Sequence, residues 1–148
     1  MATTGQFTVG RDVTAIVIAP NGSRLDLSGL TDFKATPEYK TAKVDRLNGP
    51  PLERFLPCGH RLSFSIDRMG PTNELLFTLI EAGWWAVGSA DPGTSSGGTV
   101  FTYTQEADGS TTIAQYVGVA LKLSQAGDNK VDSAVKQTIE GFASQKVL

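Results

Sequence analysis

The chain has 148 residues, 40% hydrophobic and 19% charged, with a formal net charge of -2, enough for one domain with a real core and too short for two ordinary ones. A balance so weak and slightly acidic offers no positive field to hold nucleic acid by counterion release, which argues against tight DNA or RNA binding. A single cysteine, Cys58, excludes an internal disulfide framework, so stability must come from packing or assembly.

The opening Met1-Ala-Thr-Thr-Gly-Gln6 has no basic stretch and no apolar core, so it does not read as a secretory signal, and synthesis in the cytoplasm is expected. The longest apolar run, Val13 to Ala19, is strand-sized, and a soluble protein is expected. Sixteen glycines, with abundant Thr, Val and Ser between turn signals, predict a mainly β chain. The first strands are predicted at Phe7–Val9, Val13–Ala19, Arg24–Leu27 and Asp32–Tyr39. Pro20-Asn-Gly22 predicts a tight turn, because Gly22 and Asn21 tolerate positive φ. The stretch Thr36 to His60 contains four prolines and mixed charge and is too long for an ordinary connection. It predicts a protruding arm or extended hairpin at about residues 36–57.

Arg61–Arg68 carries the cleanest alternation, with Leu62, Phe64 and Ile66 set against Arg61, Ser63, Ser65 and Asp67. After Gly70 the period changes. Pro71 suits a first helical turn, and Leu75, Leu76, Leu79, Ile80 and Trp84 recur at helical spacing, which predicts one helix of roughly three turns. Gly88 to Gly98, rich in Gly, Ser, Pro and Thr, predicts a mobile loop. Strands resume at Val100–Gln105, Thr112–Ser124 and Ala134–Ala143, with a turn at Ala107-Asp-Gly109. In the second of these, Val117, Val119, Leu121 and Leu123 alternate with Tyr116, Gly118, Ala120, Lys122 and Ser124, which predicts one apolar and one polar face. The chain is read as a single domain without internal repeats.

Catalytic chemistry finds little support. Cys58-Gly-His60 is where soft ligands come close in sequence, but a metal site needs two more ligands at suitable spacing. A thiol–imidazole nucleophile would also need a shaped pocket. No Gly-x-Ser-x-Gly elbow occurs, and Gly93-Thr-Ser-Ser-Gly-Gly98 lacks the Gly-Lys-Ser/Thr of a phosphate loop. Asp128-Asn129, Asp132 and Asp108-Gly109 read as turn chemistry rather than calcium ligands. Trp84 and Trp85 end an apolar helix and read as core or subunit-contact packing. Arg61, Arg68, Lys122 and Lys136 are spread singly along strands and read as a solvated face. No catalytic, cofactor-binding or metal-binding residue is assigned, and no enzyme is expected.

The run Gly118 to Asp128 followed by Val135-Lys-Gln, with Ser63-Phe-Ser-Ile-Asp-Arg68 ahead of a short helix, resembles the tail tube proteins of contractile-tailed bacteriophages, which share a fold family with type VI secretion tube proteins. The resemblance implies a β-sandwich or barrel with one flanking helix that contributes strands to a shared ring barrel. It further implies hexameric rings stacked inside a tail sheath, bounded by baseplate and tail terminator proteins. Tape measure protein and DNA would occupy the lumen transiently, with no membrane involved. The protein would reside in the virion after assembly in the host cytoplasm. On this chain the helix maps to Thr72–Trp85, the stacking arm to about Thr36–Pro57, and the lumen strands among Arg61–Arg68, Thr112–Ser124 and Ala134–Ala143.

Geometry agrees with sharing. If six subunits each gave four strands to one barrel, about 24 strands at ~4.8 Å spacing and ~40° tilt give a backbone diameter of about 45–50 Å, wide enough for duplex DNA. A polar or acidic lumen is expected, with Asp67, Asp132 and Glu140 as candidate lumen acids. Alternative readings are a tube subunit of a type VI secretion system or tailocin, and a small ligand-binding β-barrel with the Trp pair in its pocket.

Overall fold

The computed structural model describes residues 13–86, 88 and 97–148; the predicted strand at Phe7–Val9 and residues 89–96 of the predicted mobile loop lie outside the described residues. The elements are β1 (Val13–Ile18), β2 (Leu30–Val44), β3 (Leu52–Asp67), α1 (Thr72–Trp85), β4 (Gly98–Gln105), β5 (Thr111–Asp128), β6 (Lys136–Ala143) and β7 (Gln145–Val147). The strands form one antiparallel sheet in the order β1-β4-β5-β6-β3-β2, with β7 also on β5. The fold is therefore mainly β with one flanking helix.

β5 belongs to both halves of the sheet. Up to Val119 it pairs with β4 and, over Gln115–Val117, with β7; from Ala120 onward it pairs with β6. The halves fold over one another, so that Val17, Val100 and Tyr116 from one layer meet Leu62, Phe64, Ile66 and Ile139 from the other in one buried core. Phe33 packs its ring on Phe64 at 4.8 Å.

Gly118 marks where β5 changes layers. Thr99 pairs with Val117 and Gly98 with Val119, leaving Gly118 as an extra residue at φ +65°. Such a bulge inverts the alternation on either side of it. Before it Ala114 and Tyr116 face the core; after it Val119 does, with Leu121 and Leu123 packed against the core behind it. The alternation read from the sequence holds from Val119 and is corrected at Tyr116 and Val117, where the inward residue is the tyrosine.

Three further boundaries differ from expectation. Arg24–Leu27 is no strand, making one bridge from Arg24 to Ile18. This segment is held instead by a helix side chain: the Asp26 N–H donates to Asn73 Oδ1 at 2.8 Å, and Asn73 Nδ2 donates to the Asp26 carbonyl at 2.9 Å. α1 buries Asn73 and Leu76 and leans on the core through Phe77 and Ile80. Leu75 and Leu79, expected on that face, are each 64% exposed. The chain also adds β7, which the sequence reading lacked.

Thr36 to His60 forms the outer part of one long hairpin. β2 and β3 stay paired from Leu30↔Ile66 to Val44↔Leu52. Between Pro37 and Tyr39 the register shifts opposite Cys58 and Gly59, and Gly59 takes φ +119°. A Cβ there would run into the Phe142 ring. Beyond this irregularity the hairpin stands away from the body with every residue from Lys40 to Cys58 exposed. Among the described residues no helix is long and apolar enough to cross a membrane.

Candidate functional site

The half-sheet β2-β3-β6-β5 has one face in the core and one in solvent, and its registers arrange the outer face in rows. Lys34, Ser63, Glu140 and Lys122 form one row. Thr36, Arg61, Phe142 and Ala120 form the next, and Asp32, Ser65, Thr138 and Gln125 a third. Asp67, Lys136 and Asp128 complete the set. The cations Lys34, Arg61, Lys122 and Lys136 are thus matched by the carboxylates Asp32, Asp67, Asp128 and Glu140. A shallow hollow of about 300 Å³ lies over the first two rows.

Most of those cations have a carboxylate at hand. Lys136 Nζ lies 3.1 Å from Asp67 Oδ1, and Lys122 Nζ 3.4 Å from Glu140 Oε2. Arg61 Nε donates to Glu38 Oε1 at 2.7 Å, and its guanidinium lies 5.1 Å from the Phe142 ring centroid. These exposed pairs add little to stability. Their effect is to leave an approaching phosphate little unopposed positive charge.

Of the predicted lumen acids, Asp67 and Glu140 therefore share this face. Asp132 does not: it is exposed in the loop between β5 and β6. The face that carries Asp67 and Glu140 is polar and charge-balanced, because cross-strand pairing places each of the two acids beside a lysine.

Among the described residues both lateral edges of the half-sheet are open. There β2 ends the strand order and pairs only with β3. β5 loses β4 after Val119, so Ala120–Asp128 has β6 on one side and no strand on the other among the described residues. Unpaired edges of this length are templates for strand addition.

α1 lies beside the β5 edge, anchored at its first turn. Asn73 grips the Asp26 peptide, and Glu74 accepts from Arg68 Nε at 2.7 Å and from Gln137 Nε2 at 2.7 Å. Gln137, 1% exposed, donates also to the Ala126 carbonyl at 3.0 Å. The hydrogen bond from Arg68, helped by its charge and by Gln137, holds the Glu74 carboxyl below the ordinary glutamate value against partial burial. The other end of the helix is less enclosed. Trp84 is 60% and Trp85 74% exposed, and with Phe77, Ile80, Leu121 and Leu123 they line an open groove of about 850 Å³. Of the two expectations for the tryptophans, core packing or subunit contact, their exposure within the chain excludes the first.

The remaining candidates sit apart. His60 packs edge-on against Tyr116 at 5.6 Å between ring centroids, while Cys58 is exposed on the arm. Asp108 accepts from the Ser110 N–H and Oγ, which is turn chemistry and lowers its pKa. No group of three or more His, Cys, Asp or Glu suited to a metal occurs among the described residues.

The sequence matches no family model and no curated protein. Solved structures do match. A chain from the sheath–tube complex of an extracellular contractile injection system (PVC) in the extended state superposes with a TM-score of 0.60 at 11% identity, covering 90% of this chain and 86% of that one. The fold is that of contractile injection system tubes. A chain from the tube-terminating cap of the anti-feeding prophage matches with a TM-score of 0.63 at 9% identity, over 98% of this chain and 92% of the other. One from the PVC sheath/tube terminator matches at 0.64 and 9%, over 98% of both. These matches cover nearly the whole length of the chain.

Proposed function

We propose that this chain is a structural, ring-forming subunit of the tube of a contractile tail, with six copies closing a channel by strand pairing between neighbours. The observation that carries the reading is the half-sheet whose two edges have no further strand partner among the described residues. One of its faces is sealed by the core, and the other is polar and charge-balanced. Pairing the Ala120–Asp128 edge of one copy with the β2 edge of the next would continue the sheet around a ring. At four strands per copy, six copies give a barrel about 45–50 Å across.

In the bacteriophage form of this reading, rings stack inside a sheath between baseplate and terminator. The tape measure protein leaves first and the genome follows through the lumen. A face whose cations sit beside carboxylates lets phosphates pass without sticking. The protein then belongs to the virion, built in the host cytoplasm, with no catalytic or membrane role. The same surfaces would serve a type VI secretion or tailocin tube that moves protein.

A second reading is a capping ring, favoured by the near-complete match to chains from tube-terminating assemblies. A ligand-binding barrel is less well supported, because the tryptophans line an open groove. Electron microscopy of the purified protein at rising concentration, with light scattering, separates these. Long tubes with a duplex-wide channel support the tube subunit, single rings support the cap, and a monomer at every concentration rejects both.

A further inference from the structure

The chain holds two Asn-Gly pairs, Asn21-Gly22 and Asn48-Gly49, and the fold treats them differently. In such a pair the peptide nitrogen of the glycine is well placed to attack the asparagine side-chain carbonyl, because no Cβ shields it and the glycine backbone bends readily. The sequence alone ranks the two pairs as equals.

Asn21-Gly22 is locked. The Gly22 N–H donates to the Ala19 carbonyl at 2.9 Å, and Asn21 Oδ1 accepts from the Ser23 N–H at 3.0 Å. The nucleophile is thereby held by its proton and the side-chain carbonyl is held toward Ser23. Attack at this turn requires both bonds to be given up.

Asn48-Gly49 lies at the tip of the arm, in the loop beyond the last register pair, Val44↔Leu52. Every residue from Asp45 to Pro51 is exposed, Leu47 to 97%. Among the described residues neither the Asn48 side chain nor the Gly49 N–H has a partner within hydrogen-bonding geometry. What the loop does hold is a cation. Arg46 Nε donates to the Pro50 carbonyl at 3.0 Å, and its guanidinium lies so close over Gly49 that a Cβ there would stand 2.9 Å from Nη2. A neighbouring positive charge favours the deprotonated form of an acid, and the deprotonated Gly49 nitrogen is the nucleophile.

We infer that Asn48 is a site of spontaneous covalent modification, deamidation through a cyclic imide, while Asn21 is spared. The Gly49 nitrogen gives its proton to solvent base and bonds to Asn48 Cγ; the Cγ–Nδ2 bond breaks and the amide nitrogen leaves as ammonia. Water then opens the ring at either carbonyl, leaving an aspartyl or isoaspartyl residue at position 48. Water enters and ammonia leaves, with no oxidant and no cofactor. The arm tip gains a carboxylate beside Arg46 and, in the isoaspartyl form, an extra backbone carbon. Because the change falls outside the paired strands, the hairpin keeps its register and carries a covalent mark of the chain's age. The chemistry needs no partner chain.

The test uses the unmodified chain, incubated in mildly alkaline buffer made with heavy-oxygen water. Its peptides are read over time by mass spectrometry with electron-transfer fragmentation, which separates the two products. Heavy oxygen should enter at position 48, and conversion at Asn21 should be about thirtyfold slower, the factor that corresponds to two hydrogen bonds at ~1 kcal/mol each. In urea, where those bonds are gone, the two rates should converge. Arg46→Gln should slow conversion at position 48 in the folded chain. Conversion of Asn21 as fast as Asn48 in the folded chain, or an Asn48 that reacts only once the chain is unfolded, overturns the assignment.

Discussion

Gln137 on β6 donates from Nε2 to Glu74 Oε1 at 2.7 Å, joining the centre of the sheet to the first turn of the helix. The same amide nitrogen also bonds the Ala126 carbonyl, so one buried side chain fixes α1, the end of β5 and β6 together. Replacing it with leucine of similar size leaves that carbonyl without its partner, a loss worth about 1–3 kcal/mol. Urea unfolding of Gln137→Leu should show that drop with an unchanged denaturant slope. A midpoint equal to the parent's would mean the amide is not the fastener.

Glu74 makes the helix anchor acid-sensitive. Its folded-state pKa lies below the ordinary glutamate value, chiefly through the Arg68 hydrogen bond. The stabilisation is therefore complete above the unfolded value of about 4.3 and is lost as pH falls through the lower folded value. Asp26 and Asp108 are also lowered, each mainly by a hydroxyl hydrogen bond, from Ser28 and Ser110 respectively, so the whole chain weakens in the same direction. The helix contribution is isolated by difference. Tryptophan fluorescence, reporting Trp84 and Trp85, should shift at higher pH in the parent than the global unfolding signal does, and Glu74→Gln should abolish that early phase. Identical acid profiles for the two proteins would contradict the assignment.

Gly118 should tolerate asparagine better than valine. At φ +65° a side chain costs about 1–2 kcal/mol, least for Asn and most for a β-branched residue. Gly118→Val should lower the melting temperature by more than Gly118→Asn, in calorimetry of both. Equal losses would show that space, rather than backbone conformation, limits this position.

That glycine also shows where sequence reading stops. Leu62, Phe64 and Ile66 announced the core face of β3 because an uninterrupted strand keeps a strict period of two. The helix at Thr72–Trp85 was equally plain from its apolar spacing and the preceding Gly70-Pro71. Around Gly118 the apolar residues on both sides looked like one continuous alternation, and only strand register reveals the extra residue that turns Tyr116 inward. The acids named as lumen candidates followed the same rule. Asp67 and Glu140 lie on strands and could be placed on a polar face, whereas Asp132 falls in a loop whose geometry no periodicity reports. The neutralising partners, Lys136 and Lys122, were visible as residues but not as partners, since their pairing crosses strands far apart in sequence. Leu75 and Leu79 are as apolar as a core position, so spacing alone does not separate the face of α1 that meets the core from the face that stays exposed.

The charge-balanced face gives the most direct test of channel function. Glu140 stands in one row between Ser63 and Lys122, with Lys34 at the far edge. Glu140→Lys would give that row three lysines and no carboxylate, and in a six-membered ring the excess repeats around the whole circumference. Each added phosphate contact makes DNA retention more salt-dependent. Rings and tubes should still assemble, because Glu140 lies away from both free edges and its exposed pair with Lys122 adds little to stability. Delivery of DNA by particles carrying the substitution should slow, with normal tube length in micrographs and recovery at higher ionic strength. Unimpaired delivery at low salt would indicate that this face does not line the path of the genome.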